Sequence, residues 1–360
     1  MFNHNRKTGG LKAVSYKIGE YNYRKSTVHD FESNGGYGGK RILIQGDLGQ
    51  GKTTLNLHTI PRFGYLQNAR TTDYLKGQMD TIYPETIVYR GRKKDYWNVF
   101  IPENYKRSFG QDAARQMRVF IWHKDDLIFY EQESVGEDIK ILKPDIYRYS
   151  DIEDLYRNFI DGGINIVYPP NDYVLSPLLK KRIYDLMMKS KEGRKYMAEN
   201  KEISVPSVAF WYDLIYFFIS DVEEVKARNP SIRIIKSVTF VFDEAHQIFP
   251  AGAAKPFWYL VDNFAEDEII ETRRINLSIW ADIHDYRFMY WKILGRFNYF
   301  IFVKGAKSMY KTKLSKIVQS LIDQLPIGKF LIEEKSNLFG VSDFPRIENQ
   351  PISLTVKGMK

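Results

Sequence analysis

Between Arg41 and Thr54 the chain reads Arg-Ile-Leu-Ile-Gln-Gly-Asp-Leu-Gly-Gln-Gly-Lys-Thr-Thr. Such a run admits few folds. Its apolar opening predicts a buried strand, and its glycines supply backbone angles that other residues avoid. The lysine and threonines that follow open a helix, cut short at Pro61. The spacing G-x-x-x-x-G-K-[ST] is a P-loop, whose backbone N–H groups wrap a phosphate. Gly46, Asp47, Leu48, Gly49, Gln50 and Gly51 form the cradle, with Lys52 reaching β and γ oxygens. Thr53 offers its hydroxyl to Mg²⁺, and Thr54 completes the set. The order Gly46-x-x-Gly49-x-Gly51 reverses the dinucleotide fingerprint, so the expected ligand is ATP with Mg²⁺.

A second element complements the first. Val238 to Phe242 is a continuous apolar strand that ends in Asp243-Glu244. A buried parallel strand presents its last side chains at the ligand crevice, where two carboxylates need a cation or hydrogen-bond donors. Asp243 is placed to hold Mg²⁺ and Glu244 to polarise a water for attack on the γ-phosphate. The glutamate argues for hydrolysis and against a small-molecule kinase.

Strands and helices alternate over most of the length, which predicts an α/β layer fold with a largely parallel sheet. Residues 1–40, ending in Gly35-Gly36-Tyr37-Gly38-Gly39, read as a flexible lead-in or a structured turn. Residues 41–356 then form one ATPase domain. Within it, 86–142 reads as a β-rich insertion with strands at Thr86–Arg90, Trp97–Ile101, Arg118–Trp122 and Leu127–Tyr130. Arg90, Arg92, Lys93, Lys94, Lys106, Arg107 and Arg118 interleave there with aromatic residues. That mixture fits nucleic-acid contact or, alternatively, guarded strand edges. A helix is expected over 176–200, basic on one face, and another from Pro206 to Arg228.

The net charge of +9 suits a polyanionic partner, and the absence of cysteine fits a reducing interior. Val208 to Ser220 is too short to span a bilayer, so no integral membrane segment is expected and the protein is placed in the cytoplasm. His246 reads as a satisfied histidine beside the site, since Glu244-x-His246 is no metal-ligand spacing.

The segment Phe242-Asp243-Glu244-Ala245-His246-Gln247-Ile248-Phe249-Pro250 resembles the Asp-Glu-Ala-His box of the FtsK–HerA superfamily of DNA-pumping ATPases. The likeness covers residues 38–60 and 160–356, and the region 86–142 has no counterpart in it. It implies a RecA-like, mostly parallel sheet flanked by helices. It places Arg273, in Glu271-Thr-Arg-Arg274, at the arginine-finger position, with Arg274 and Arg287 as competitors. It puts His284 at the sensor position, where the family commonly has Gln, with Asp282 the alternative. Strands over Leu325–Ile332 and Pro351–Val356 would close the domain. The implied activity is ATP-driven translocation of double-stranded DNA by a homo-oligomeric ring of five or six subunits. Packaging of a viral genome, with a capsid or portal protein as partner and the host cytoplasm as compartment, is one setting; transfer of mobile-element DNA is the other. The competing readings are an extrusion ATPase resembling the zonula occludens toxin family and a non-translocating ATP-dependent switch.

Overall fold

The computed structural model describes residues 15–18, 21–24, 39–56, 69–71, 81–83, 86–91, 117–125, 145–200, 202–272, 275–308, 313–334 and 337–343. Its centre is a ten-stranded sheet. Three consecutive strands lead to it in sequence or lie within it: β1 (Ser15–Ile18) and β2 (Tyr21–Arg24) form an antiparallel pair inside the 1–40 segment, and β3 (Arg41–Gln45) is central. A second antiparallel pair joins β4 (Ala69–Thr71) to β5 (Thr81–Tyr83). The remaining strands are β6 (Thr86–Arg90), β7 (Met117–Trp122), β8 (Asp145–Tyr149), β9 (Ile164–Val167), β10 (Val238–Phe242), β11 (Leu277–Ile283), β12 (Tyr299–Phe302), β13 (Lys329–Glu334) and β14 (Asn337–Asp343).

Across the large sheet the order is β14-β13-β12-β3-β11-β10-β6-β9-β7-β8. All pairings from β12 to β8 are parallel, and β13 and β14 add an antiparallel edge. The strands read as apolar runs because both faces are covered by helices, as parallel sheets require. Thr86–Arg90 and Arg118–Trp122, expected as parts of an insertion, are strands of this central sheet: β6 pairs with β10 and β9, and β7 with β9 and β8. The expected strands Trp97–Ile101, Leu127–Tyr130 and Pro351–Val356 lie outside the described residues.

Alternation along each strand sorts the two faces. Leu43, Ala281, Phe242 and Phe300 align in one row across four strands. This row faces an aromatic core in which Trp211 meets Phe242 edge-on, with ring centroids 5.4 Å apart, and Tyr212 packs among Phe249, Phe257 and Phe264. Edge-to-face contacts of this kind add to the area term of burial. The opposite row carries Ile44 and Asp282 and receives the helix that follows the P-loop, α1, over residues 52–56.

The expected helix over 176–200 is two helices, α3 (Pro177–Met188) and α4 (Lys191–Glu199), following the short α2 (Ile152–Arg157). Ser190 explains the break. Its hydroxyl accepts from Gly193 N at 2.8 Å and starts a new helix, as Ser176 does for Leu179 at 3.1 Å. Gly193 permits the tight corner, since a Cβ there would lie 2.1 Å from Met187 O.

The helix expected from Pro206 to Arg228 runs as α5 (Ala209–Tyr216), a π-helical turn (Phe217–Asp221) and α6 (Val222–Arg228). A second π turn, Phe264–Glu268, joins α7 (Phe257–Asn263) to α8 (Ile269–Glu271). Arg182 of α3 binds both turns. It donates to Ser220 Oγ and Asp221 Oδ1 at 3.0 Å each, stands 3.5 Å from Glu268 Oε1, and lies 4.1 Å over the Tyr216 ring. Helices α9 (Trp291–Leu294) and α10 (Lys313–Asp323) complete the described layers.

Candidate nucleotide site

Strand β3 ends at Gln45, and the next six residues turn back over the sheet edge before α1 begins. Gly49 and Gly51 have φ of 72° and 86°, the left-handed angles the motif demands of glycine. Lys52, the first residue of α1, is buried. Its Nζ donates to Gly46 O and Asp47 O at 2.8 Å each, which stretches the side chain back across the loop. A third contact, 3.0 Å to His284 Nδ1, ties it to the end of β11. An ammonium only donates, so His284 accepts at Nδ1 and carries its proton on Nε2.

Sheet order explains how these groups meet. Strand β11 lies between β3 and β10, so its last residues stand between the P-loop and the acidic pair. Asp282 is wholly buried there. Its Oδ2 accepts from Asn56 Nδ2 of α1 at 2.7 Å, and its Oδ1 accepts from Glu244 N at 3.0 Å. Tyr89 of β6 also holds α1, donating to Asn56 O at 2.8 Å.

Asp243 is wholly buried and directly follows β10. Glu244 adopts φ 47° and ψ 49°, a left-handed conformation uncommon for a glutamate. Three contacts enforce it. Besides the Asp282 bond, Glu244 Oε2 accepts from Gln247 Nε2 at 2.6 Å, and Gln247 Oε1 accepts from Arg90 at 3.0 Å. Arg90 also donates to Asp243 O at 3.0 Å.

Arg90 therefore corrects the reading of the basic region. It is buried under the acidic turn and faces no nucleic acid. Arg118, half-buried, pairs with Asp145 at 2.6 Å; the other basic residues of that group lie outside the described residues.

The P-loop residues, Lys52, Asp243, Glu244 and His284 thus share one edge of the sheet. Thr53 is half-buried beside Lys52. Asp243 and Thr53 are hard oxygen donors of the type Mg²⁺ takes together with phosphate oxygens, so the donor set fits that ion. Among the described residues no three His, Cys, Asp or Glu side chains gather as a self-sufficient metal cage. A cation here would share its ligands with the nucleotide.

Other expectations resolve differently. Arg273 and Arg274 lie outside the described residues. Arg287 folds back on Asp285, with Nε 2.8 Å from Oδ2, and its hydrogen bonds hold the Asp285 carboxyl below the usual range. His246 lies beside Phe288, ring centroids 6.2 Å apart. The roles of Asn56, Arg90 and Gln247 and the bridging by Asp282 were not singled out from the sequence. Asn56, Arg90 and Asp282 act on residues distant along the chain, and Gln247, though it tethers the nearby Glu244, is itself held by the distant Arg90.

A parallel sheet whose central strand feeds a glycine cradle and a buried lysine, with one strand interposed before an acidic turn, decides the architecture. The chain has the fold of a P-loop NTPase.

Similar solved structures include a genome-packaging NTPase, B204, from Sulfolobus turreted icosahedral virus 2, solved with sulfate. It is 10% identical, matches 86% of this chain and 98% of its own, and has a TM-score of 0.41. The pCW3 conjugation coupling protein TcpA is 10% identical, over 86% of this chain and 62% of its own, at a TM-score of 0.34. The N-terminal domain of zonular occludens toxin from Neisseria meningitidis is 11% identical, over 82% and 84%, at 0.26. All three TM-scores are below 0.5, so the P-loop NTPase fold rests on the sheet order and loop geometry above. No family model and no curated protein matches the sequence. No described helix of this NTPase fold is long and apolar enough to cross a membrane.

Proposed function

We propose that the protein hydrolyses ATP to drive double-stranded DNA through a homo-oligomeric ring, as the Asp-Glu-Ala-His resemblance implies. The observation carrying this reading is that two sets of hydrogen bonds tie α1 to the end of β11: Lys52 to His284, and Asn56 to Asp282, whose other oxygen accepts from Glu244 N. The P-loop N–H groups and Lys52 hold the β- and γ-phosphates. Water attacks the γ-phosphorus, the bond to the bridging β–γ oxygen breaks, and Glu244 takes the proton. Bound Mg²⁺, held by Asp243 and Thr53, would offset charge on the phosphate oxygens. Gln247 and Arg90 fix the direction of the Glu244 carboxylate.

His284 contacts Lys52 and lies 3.4 Å from Gly46 O, which suits a sensor of γ-phosphate occupancy. Arg273 is assigned as the finger that a neighbouring subunit supplies, making turnover depend on the ring. The positive net charge of +9 favours grip on phosphates without base readout. A capsid or portal protein is the expected partner if the DNA is a viral genome.

The test is the ATPase rate of purified oligomer with and without double-stranded DNA across a salt series. Stimulation that fades with salt supports the translocase. A competent oligomer indifferent to DNA overturns it in favour of the ATP-dependent switch.

A further inference from the structure

We propose that Lys304 and Lys307, on the turn after β12, form a second cationic arm that contacts the phosphate chain of the nucleotide bound by the P-loop. This inference rests on the nucleotide-site reading above.

The turn is built against the P-loop. Strand β12 is the other neighbour of β3, on the side away from the acidic pair. Its ladder continues past its end: Val303 N donates to Gln45 O at 2.9 Å, and Asp47 N donates to Lys304 O at 3.2 Å. The approach is close enough to exclude side chains on both partners. A Cβ on Gly46 would lie 2.1 Å from Val303 Cγ2. A Cβ on Gly305 would lie 2.0 Å from Asp47 Oδ2, and Gly305 has φ of 81°. Only glycine accepts that angle together with that neighbour.

The far end of the turn is equally fixed. Ala306 is buried, and its N–H donates to Val303 O at 3.1 Å. Gln319 of α10 donates to Ala306 O at 3.2 Å and accepts from Ser308 N at 2.7 Å. Residues 303–308 are thus pinned between the P-loop and α10. From this rigid base the two lysines project, and both are exposed.

Among the described residues neither lysine forms an ion pair, whereas Arg287 is committed to Asp285 and Lys292 to Asp262 and Glu266. Lys307 also helps lower the Asp285 carboxyl, after the larger effect of Arg287, which sets it within electrostatic reach of the residue following His284. The two exposed ammoniums thus share one rigid turn that is backbone-bonded to the P-loop. A polyphosphate held by that loop is the anion placed to bind them. Lysines serving only solubility have no need of a glycine-fitted, doubly clamped base.

The experiment measures binding of a fluorescent ATP analogue and of ADP to the full chain. It compares wild type, Lys304→Ala, Lys307→Ala, the double variant, Lys307→Glu, Lys307→Arg, Lys52→Ala and the remote exposed control Lys189→Ala. The double variant should lose about tenfold in affinity for both nucleotides, with a shallower salt dependence. Lys307→Glu should lose more than Lys307→Ala, Lys307→Arg should hold close to wild type, and Lys189→Ala should change nothing. If Lys52→Ala loses binding while the double variant stays within about twofold of wild type, the second arm is overturned and the nucleotide site stands. If Lys52→Ala also binds normally, the nucleotide site itself is overturned. Far-UV circular dichroism of each variant verifies that the fold is retained.

Discussion

Asn56 donates its side-chain amide to Asp282 across 2.7 Å, joining the first helix after the P-loop to the strand beside the acidic turn. Since the other oxygen of Asp282 accepts from Glu244 N, one buried carboxylate spans both halves of the site. Asp282→Ala should cost about 2–4 kcal/mol, because two buried donors lose their acceptor. It should also lower kcat by misplacing Glu244. Urea unfolding and steady-state kinetics test this, and a variant as stable as wild type would refute the bridging role.

Lys52→Ala should reduce hydrolysis by at least about 100-fold, since it removes the cation aimed at the developing phosphate charge. Asp47 is exposed, so water can replace the lost donor to its carbonyl. The fold should therefore persist by circular dichroism. Unchanged phosphate release would contradict the assignment of the loop.

Arg90→Ala removes the donor to Asp243 O and to Gln247. It should lower kcat with little change in KM, and destabilise by about 1–3 kcal/mol through unpaired buried acceptors. Gln247→Leu should lower kcat in the same direction with a smaller stability cost, because only the Glu244 tether is lost. A KM effect without a kcat effect in both variants would separate these residues from the chemistry.

Glu333 on β13 is wholly buried with no hydrogen-bond partner for either oxygen among the described residues. Burial pushes its acid from the ordinary 4.5 up to about 7. The folded protein thus keeps a proton that the unfolded chain releases over that interval. Stability is complete below about pH 4.5, falls as pH rises towards 7, and is lower by on the order of 3 kcal/mol above it. Glu333→Leu should abolish this slope and stabilise the protein at pH 8 while changing little at pH 4.5. Denaturant midpoints at the two pH values decide the matter; an equal shift at both would place the effect in packing rather than titration.

The P-loop and the acidic strand were legible because each is contiguous and every residue in it answers to a local backbone need. Gly49 and Gly51 have the positive φ that the spacing required. Arg90 was opaque for the opposite reason: its partner Asp243 lies 153 residues away, and only the β6–β10 pairing brings them together. Without that register, an arginine at a strand end looks the same as a solvated guard. The Ser190 break had a local signal, a serine three residues before a glycine, masked by the helical pattern on both sides. The π turns had no local signal; Arg182, which contacts both, lies on a separate helix.

That arginine has a mechanical implication. Each widened turn stores one residue more than the helical register needs, and a single guanidinium latches both. The α5–α6 and α7–α8 junctions are thereby tied to each other through one side chain of α3. Unfastening the latch would release the two junctions together.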